Sequence, residues 1–253
     1  MLSRKLCAAL FAACTASSAN AQLSISSGAE YTTGKYGATE KTEQLYVPFT
    51  AKLETESWVL KATVPYLHVS GPANVVGAGD DRVVVPGDAA RRTASGLGDV
   101  VASAFYSAVT GDASGFALDL GAKIKFGTAD EAERLGTGEN DFSLQADVYK
   151  PLGGLDWFVT LGYRWYGDPP GFELRDVPYA AIGAARRLGG GSTIGVSYDY
   201  RPRISDGGSA ISEATLFWVT RFSREWKLQL YALAGFSDAS PDAGAGALLE
   251  YRF

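Results

Sequence analysis

Cysteine is nearly absent from this sequence. Cys7 and Cys14 are the only two, and both lie within the first 14 residues together with the only methionine. The remainder of the chain therefore has no disulfide framework, so its stability must come from packing or from a membrane.

Histidine is as rare, since His68 is the only one in 253 residues. A metal site built from several histidines is therefore excluded, and a catalytic triad would have a single candidate base. The Gly-rich stretch "RRLGGGS" at 186–192 lacks the Lys-Ser/Thr ending of a phosphate-binding loop. We therefore expect neither a metal nor a cofactor.

Long apolar runs and blocks of basic residues are also missing. Beyond residue 21 no stretch approaches the roughly 18 apolar residues of a transmembrane helix, which excludes a helical span. The formal net charge is −5. The sequence therefore gives no reason to expect a nucleic-acid partner.

The first residues have the layout of a secretory signal peptide. Arg4 and Lys5 precede an uncharged run over 6–16, and a small-residue Ala-Asn-Ala sequence ends at Ala21. The uncharged run is about half the length of a membrane anchor. We expect cleavage after Ala21, which removes residues 1–21 and leaves 22–253 as one exported domain.

Alternation of apolar and polar residues dominates this exported domain. Phe116, Leu118 and Leu120 share one face of a predicted strand, whereas Asp119 and Lys123 share the other. Turn residues separate twelve such runs, which indicates an all-β antiparallel fold. The predicted strands are 23–36, 42–54, 57–69, 96–109, 114–126, 140–151, 155–166, 175–187, 191–203, 210–222, 225–236 and 243–253.

Short and long connections alternate between these runs. The short turns lie at 54–57, 110–114, 152–155, 188–191 and 223–224. By contrast, the connection from Ser70 to Ser95 has 26 residues, and we expect it to fold into the mouth of a barrel as a constriction. Short periplasmic turns and long extracellular loops are typical of outer-membrane barrels.

Aromatic residues mark one end of the predicted strands. Trp58, Trp157 and Trp226 each open a strand directly after a short turn and lie on its apolar face. Tyr251 and Phe253 share the apolar face of the last strand. These five residues are predicted to form an aromatic belt at the lipid-water interface.

Charged residues occupy the opposite face of the strands. The predicted lumen-lining residues are Asp99, Asp119, Lys123, Lys125, Asp147, Arg164, Asp199, Arg201, Glu213 and Arg221. Such a set cannot form the dry core of a soluble sandwich, and no amphipathic helix is available to cover a single soluble sheet. A closed transmembrane barrel of about 12 strands solves both problems, because lipid solvates the apolar face and no edge remains unpaired.

The C-terminal sequence "ALLEYRF" at 247–253 ends on an aromatic ring. Phe253, with Tyr251 and Leu249 two and four positions earlier, resembles the C-terminal signal of bacterial outer-membrane proteins. The resemblance implies that the barrel-assembly machinery binds this strand. The last strand is expected to pair with the first, since barrel closure leaves neither terminus to fray.

Two segments carry a more specific resemblance. "VPYLHVSGP" at 64–72 and "SGLGDVVASAFYS" at 95–107 resemble the outer-membrane transporter family named for the meta-pathway of phenol degradation. A Pro-Tyr hairpin strand and a Gly-Leu-Gly-Asp strand start recur in that family, and residues 96–99 match the second motif throughout. The resemblance implies a channel in a Gram-negative outer membrane, with aromatic or hydrophobic small molecules as cargo.

A weaker resemblance points to an enzyme. His68 and Ser70 have the His-x-Ser spacing of outer-membrane lipid A deacylases, which implies a base and a nucleophile at these positions. Gly71 follows where that family has Asn, and twelve strands are too many for it. Lipid hydrolysis is therefore kept as an alternative, and we predict a non-enzymatic protein.

The predicted function comes from the lumen. Twelve strands lie between the filled eight-stranded barrels and the open sixteen-stranded porins, which indicates a narrow passage. We predict passive passage of small molecules, with outer-membrane lipid and a small-molecule solute as partners. The alternative is a barrel with an occluded lumen that acts as a structural or surface-interaction protein.

Overall fold

The computed structural model describes residues 21–72, 74–84, 90–111, 115–169 and 173–253. The predicted signal peptide, except for Ala21, lies outside these residues. In the described part of the chain no helix is long and apolar enough to cross a membrane.

Fifteen strands follow the alternating segments of the sequence. They are β1 (Gln22–Gly34), β2 (Thr42–Glu54), β3 (Trp58–Pro72), β4 (Val75–Val76), β5 (Val83–Val84), β6 (Arg91–Leu97), β7 (Val100–Thr110), β8 (Ala117–Phe126), β9 (Asp141–Leu152), β10 (Leu155–Trp165), β11 (Val177–Gly189), β12 (Ser192–Arg201), β13 (Ile211–Arg221), β14 (Trp226–Gly235) and β15 (Ala243–Arg252). A 3₁₀ turn, Gly79–Asp81, connects β4 to β5.

The main sheet closes on itself. Each long strand pairs antiparallel with the next one along the chain, and β1 pairs with both β2 and β15. Strands β6 and β7 both pair with β3 and are separated by Gly98 and Asp99. They count as one strand of the wall, so the thirteen strands of the sheet make a barrel of twelve. The predicted all-β, closed, twelve-stranded antiparallel barrel is confirmed.

The last strand closes the barrel, as its aromatic ending predicts. Tyr251 lies opposite Ile25, and Leu249 lies opposite Ser27. The backbone N–H of Phe253 donates to the carbonyl of Leu23 at 3.0 Å. Closure satisfies the backbone groups that an open edge would leave unpaired.

The two faces of the wall differ sharply in exposure. Leu161 and Leu216, on the outer face, are 61% and 55% exposed. Lys125 and Arg164, on the inner face, are 2% and 5% exposed. An apolar outside and a charged inside are the reverse of a soluble domain and are typical of a barrel surrounded by lipid.

The connections differ in length at the two ends of the barrel. Gly153 and Gly154, both with positive φ, form a two-residue turn between β9 and β10, and Gly190 and Gly191 form another between β11 and β12. Positive φ at both central residues is the geometry of a tight hairpin turn. We call this the short-turn end; the described residues 74–84 and 127–140 lie at the opposite, long-loop end.

Gly28 lies at the closing seam, opposite Leu248 of β15. A Cβ at Gly28 would overlap the carbonyl oxygen of Ala247. We therefore expect Gly28→Val to strain the β1–β15 ladder and to lower the free energy of unfolding by about 1–3 kcal/mol. Urea titration of the refolded protein in micelles, followed by tryptophan fluorescence, measures this change.

Ala29→Val is the matched control, because Ala29 is exposed on the outer face of the same strand. Its free energy of unfolding should stay within about 0.5 kcal/mol of wild type. Equal unfolding midpoints for Gly28→Val and wild type would contradict the close approach at the seam.

Candidate functional site

Residues Val75–Val84 form a small hairpin, which we call the plug. Its strands β4 and β5 pair with each other and not with the wall. Gln44 of β2 donates from Nε2 to the carbonyl of Gly77 at 3.1 Å, and Arg164 of β10 donates from Nη1 to the carbonyl of Asp80 at 3.0 Å. Because β2 and β10 lie on opposite sides of the barrel, the plug lies inside the lumen.

Asp81 is the acidic anchor of the plug. Its Oδ1 lies 2.9 Å from Nζ of Lys123 and 3.2 Å from Nη1 of Arg164. Burial by itself would raise the pKa of Asp81, but the charges of Lys123 and Arg164 outweigh it and hold the pKa below its usual range. The carboxylate therefore stays charged as the pH falls through the range where an ordinary Asp is protonated, and its anchoring contribution is retained.

Arg82 is the basic anchor of the plug. Its guanidinium pairs with Glu213 of β13 and also donates from Nε to the carbonyl of Ala239 at 3.4 Å. From the wall, Arg201 donates to the carbonyls of Asp80 and Arg82, each at 3.1 Å. The plug turn is thus held through one acidic and one basic side chain. Their oppositely charged partners lie on different strands of the wall.

Apolar contacts hold the two arms of the plug. One cluster joins Ala78 of the plug to Leu67, Val69, Ala94 and Leu135. A second cluster joins Val76 and Val83 to Tyr166, Val177 and Ile204. The clusters lie against different parts of the wall, so the plug is held from two sides.

A second charged network lies beside the plug. Nζ of Lys125 lies 3.2 Å from the carboxylates of both Asp99 and Asp141. Asp99 also accepts hydrogen bonds from the backbone N–H groups of Thr128 and Ala129, at 3.0 and 2.9 Å. Asp99 therefore connects a wall lysine to the long connection between β8 and β9.

The other predicted lumen residues lie apart from the plug contacts. Asp147 is buried and accepts a hydrogen bond from the hydroxyl of Thr160, and Asp119 lies opposite it in the β8–β9 register. Asp199 lies opposite Glu213 in the β12–β13 register. Arg221 is exposed at the short-turn end. Their role in setting what passes stays a prediction.

Aromatic rings line the lumen on the short-turn side of the plug. Three of the inward-facing rings are Phe105, Phe158 and Phe217, and a Cβ on the neighbouring-strand residues Gly121, Gly183 and Gly195, respectively, would overlap them. Each ring therefore lies flat against the wall instead of projecting into the bore. The ring centroids of Phe158 and Phe217 are 6.4 Å apart, so these two form a continuous apolar patch.

Sequence reasoning missed both the plug anchors and these rings. The alternation of the strand places Phe105 on the inner face with Val101 and Ser103. Its side chain carries no charge, however, and the prediction of lumen residues used charge as its signal. Asp81 and Arg82 lie in a loop without periodicity. No sequence signal connects them to their partners on the wall.

The predicted belt residues lie on the outer face at the short-turn end. Trp58 and Trp157 are exposed, and the Trp58 ring is 5.0 Å from that of Tyr106. The Tyr251 ring lies 4.8 Å from Trp226 and 5.0 Å from Phe253. Trp226, Tyr251 and Phe253 form one aromatic group beside the closing seam, and the contact of all five belt residues with a lipid interface stays a prediction.

The predicted His-Ser pair is arranged differently from the deacylase pattern. Nδ1 of His68 lies 2.6 Å from the hydroxyl of Ser95 on β6, whereas Ser70 is hydrogen-bonded to Thr93 at 3.0 Å. The expected base and nucleophile therefore have separate partners. Within the described ranges no group of three or more His, Cys, Asp or Glu side chains is placed to hold a metal ion.

Solved barrels resemble this chain in fold. The COG4313 outer membrane channel from Pseudomonas putida F1 matches with a TM-score of 0.67 and 15% identity, over 94% of this chain and 97% of that one. The translocator domain of the autotransporter NalP from Neisseria meningitidis matches with a TM-score of 0.51 and 14% identity, over 97% and 93%. The KdgM porin in complex with disordered oligogalacturonate matches with a TM-score of 0.50 and 13% identity, over 91% and 99%. The fold is thus that of outer-membrane barrels.

Sequence comparison gives a family in addition to a fold. No curated protein matches the chain. The family model described as "Putative MetA-pathway of phenol degradation" matches residues 24–253, which is nearly the whole predicted exported domain and includes both motifs at 64–72 and 95–107. The chain therefore belongs to this family.

Proposed function

We propose that the protein is an outer-membrane channel for passive passage of small molecules, with aromatic or hydrophobic compounds as its cargo. The family description and the channels among the similar barrels support this function. The observation that carries it is a closed wall around an interior occupied by a separate hairpin. Transport then needs no cofactor and no chemical step.

The plug is attached in a way that permits displacement. Among the residues that the structure describes, β4 and β5 form their own two-stranded sheet and share no ladder with the wall. Moving the plug would break ion pairs, apolar contacts and the side-chain hydrogen bonds from Gln44, Arg164 and Arg201, but none of the backbone ladders of the wall. One cavity between plug and wall, lined by Tyr46, Asp81 and Lys125, has room for water but not for a solute of several heavy atoms. We propose that passage depends on movement of the plug.

The wall charges are proposed to set what passes. Lys123, Arg164, Arg201 and Glu213 hold the plug, and Lys125 with Asp99 holds the adjacent loop. Asp119, Asp147, Asp199 and Arg221 line the remaining length of the bore. A lining that carries both positive and negative charges hydrates the interior and disfavours strong selection for ions of one sign.

Two further proposals concern export and assembly. We propose that residues 1–21 are a signal peptide cleaved after Ala21. We propose also that β15, ending on Phe253, is bound by the barrel-assembly machinery before it pairs with β1.

A barrel with a closed lumen is the second candidate. The plug favours it directly, because two apolar clusters and two charged anchors fill the mouth. Such a protein would act as a structural or surface-interaction barrel. Conductance distinguishes the two candidates.

We expect purified protein in a planar bilayer to show unitary conductance steps, because brief displacement of the plug opens the bore. Proteoliposomes should swell faster in small aromatic solutes than in disaccharides. Bilayers with detergent alone are the control. A complete absence of steps over a wide voltage range would support the closed barrel instead.

Asp81→Asn should raise the mean conductance and the open fraction. It removes the ion-pair partner that Lys123 and Arg164 share, which costs the plugged state about 3–5 kcal/mol. Amide hydrogen exchange over 75–84 should become faster in the same variant, as measured by mass spectrometry.

Glu40→Gln is the matched control for Asp81→Asn. It makes the same acid-to-amide change in an exposed ion pair with Arg91, at 3.3 Å, in which both side chains are more than half exposed. Such pairs contribute about 0–1 kcal/mol. Equal conductance of Asp81→Asn and Glu40→Gln would argue against the anchoring role of Asp81.

Phe253→Ala should reduce the amount of folded barrel in the outer membrane of cells, because the assembly machinery loses its terminal aromatic contact. In vitro refolding into detergent should change little, since the ring is 66% exposed. Heat-dependent gel migration measures the folded fraction in both settings. A similar loss in both would instead indicate a direct effect on barrel stability.

A further inference from the structure

Lys61 is a lumen cation without an ion-pair partner among the residues that the structure describes. It lies on β3, faces inward at the short-turn side of the plug and is exposed. Its neighbours Lys52 and Lys227 both pair with Glu250, at 3.2 and 3.0 Å. Within the described part of the chain Lys61 makes no ion pair of this kind.

An aromatic ring lies directly beside this cation. The Lys61 ammonium is 5.1 Å from the centroid of the Phe105 ring, a cation–π contact. The ring lies flat over Gly121, so its outer surface faces the bore. The contact with the ring uses no hydrogen-bond acceptor. The N–H groups of the ammonium therefore stay available to donate to an anion.

The two lysines beside Lys61 already have acidic partners. Lys52 also pairs with Glu54 at 2.9 Å, so three lysines and two glutamates are grouped at this level of the wall. Both glutamates are paired with Lys52 or Lys227, so Lys61 is the lysine of this group without an ion-pair partner among the described residues. Glu54 and Asp147 act on Lys61 electrostatically without forming an ion pair with it.

We propose that Lys61 and Phe105 form a binding site for small aromatic monocarboxylates, as a way-point on the passage below the plug. The carboxylate accepts hydrogen bonds from the Lys61 ammonium while the ligand ring packs against Phe105. A neutral aromatic makes only the second contact, and a small aliphatic acid makes only the first. The site deepens the proposed channel function, because it names the class of solute.

Binding is measured by saturation-transfer NMR on the intact refolded protein in micelles, with empty micelles subtracted. The probes are benzoate, benzyl alcohol and acetate, which separate the two contacts. Wild type should bind benzoate about three- to tenfold more tightly than either other probe. Equal affinity for benzoate and acetate, or for benzoate and benzyl alcohol, overturns the proposal.

Variants test each contact separately. Lys61→Gln should lose the preference for benzoate over benzyl alcohol, and Lys61→Arg should keep it. Phe105→Leu should lose the preference for benzoate over acetate. An unchanged benzoate affinity in Lys61→Gln overturns the assignment of Lys61.

Two controls match these changes at positions outside the lumen. Lys41→Gln removes a lysine charge from an exposed ion pair with Asp242, and Tyr106→Leu removes the adjacent, outward-facing ring of β7. Both should retain the benzoate preference, and loss of it in either would show that the effect is not specific to the site.

The binding measurement does not require an open channel. Benzoate binding without conductance would refute the channel and keep the site. Conductance without a benzoate preference would refute the site and keep the channel.

Discussion

The hydrogen-bond ladder between β1 and β15 is the constraint on which the rest of the structure depends. In hydrocarbon an unpaired backbone group costs several kcal/mol, so a sheet in a membrane must close. Closure with twelve strands then defines one outer face and one enclosed interior. The alternation within each strand assigns every side chain to lipid or to the bore, and a register shift of one residue would exchange the two faces.

A ring of twelve strands encloses more space than its own side chains fill, since about eight strands already leave room for side chains alone. The plug occupies that space at the long-loop end, where Asp81 and Arg82 meet cations and an anion of the wall. At the short-turn end no described hairpin enters, and flat rings line the wall instead. The bore thus has two different halves: one is filled by the plug, and the other is lined by aromatic rings and by charged side chains such as Lys61.

Strand positions could be predicted from the sequence, because alternation is a local property. The second strand is observed at Thr42–Glu54, where it is predicted, and β9 differs from its prediction by one residue at each end. The error is larger at β6, which begins at Arg91 instead of 96. The added residues pair with an extension of β3 to Pro72. Ser, Thr and Gly in this part of the sequence give no clear alternation of apolar and polar residues. The inward side of Lys123 was readable from parity. Its partner Asp81 was not, because that contact depends on how a loop without periodicity folds inside the barrel.

The glycines that lie under the inward-facing rings affect the width of the lumen, although the rings separate them from the bore. Three phenylalanine rings lie flat against the wall because the residue under each is a glycine, namely Gly121, Gly183 and Gly195. A side chain at any of these positions would push the ring above it toward the barrel axis. The width of the lumen therefore depends on residues that lie one strand away from those that form its surface. Exchange of a glycine for alanine would narrow the conduit while every solute-facing residue keeps its identity.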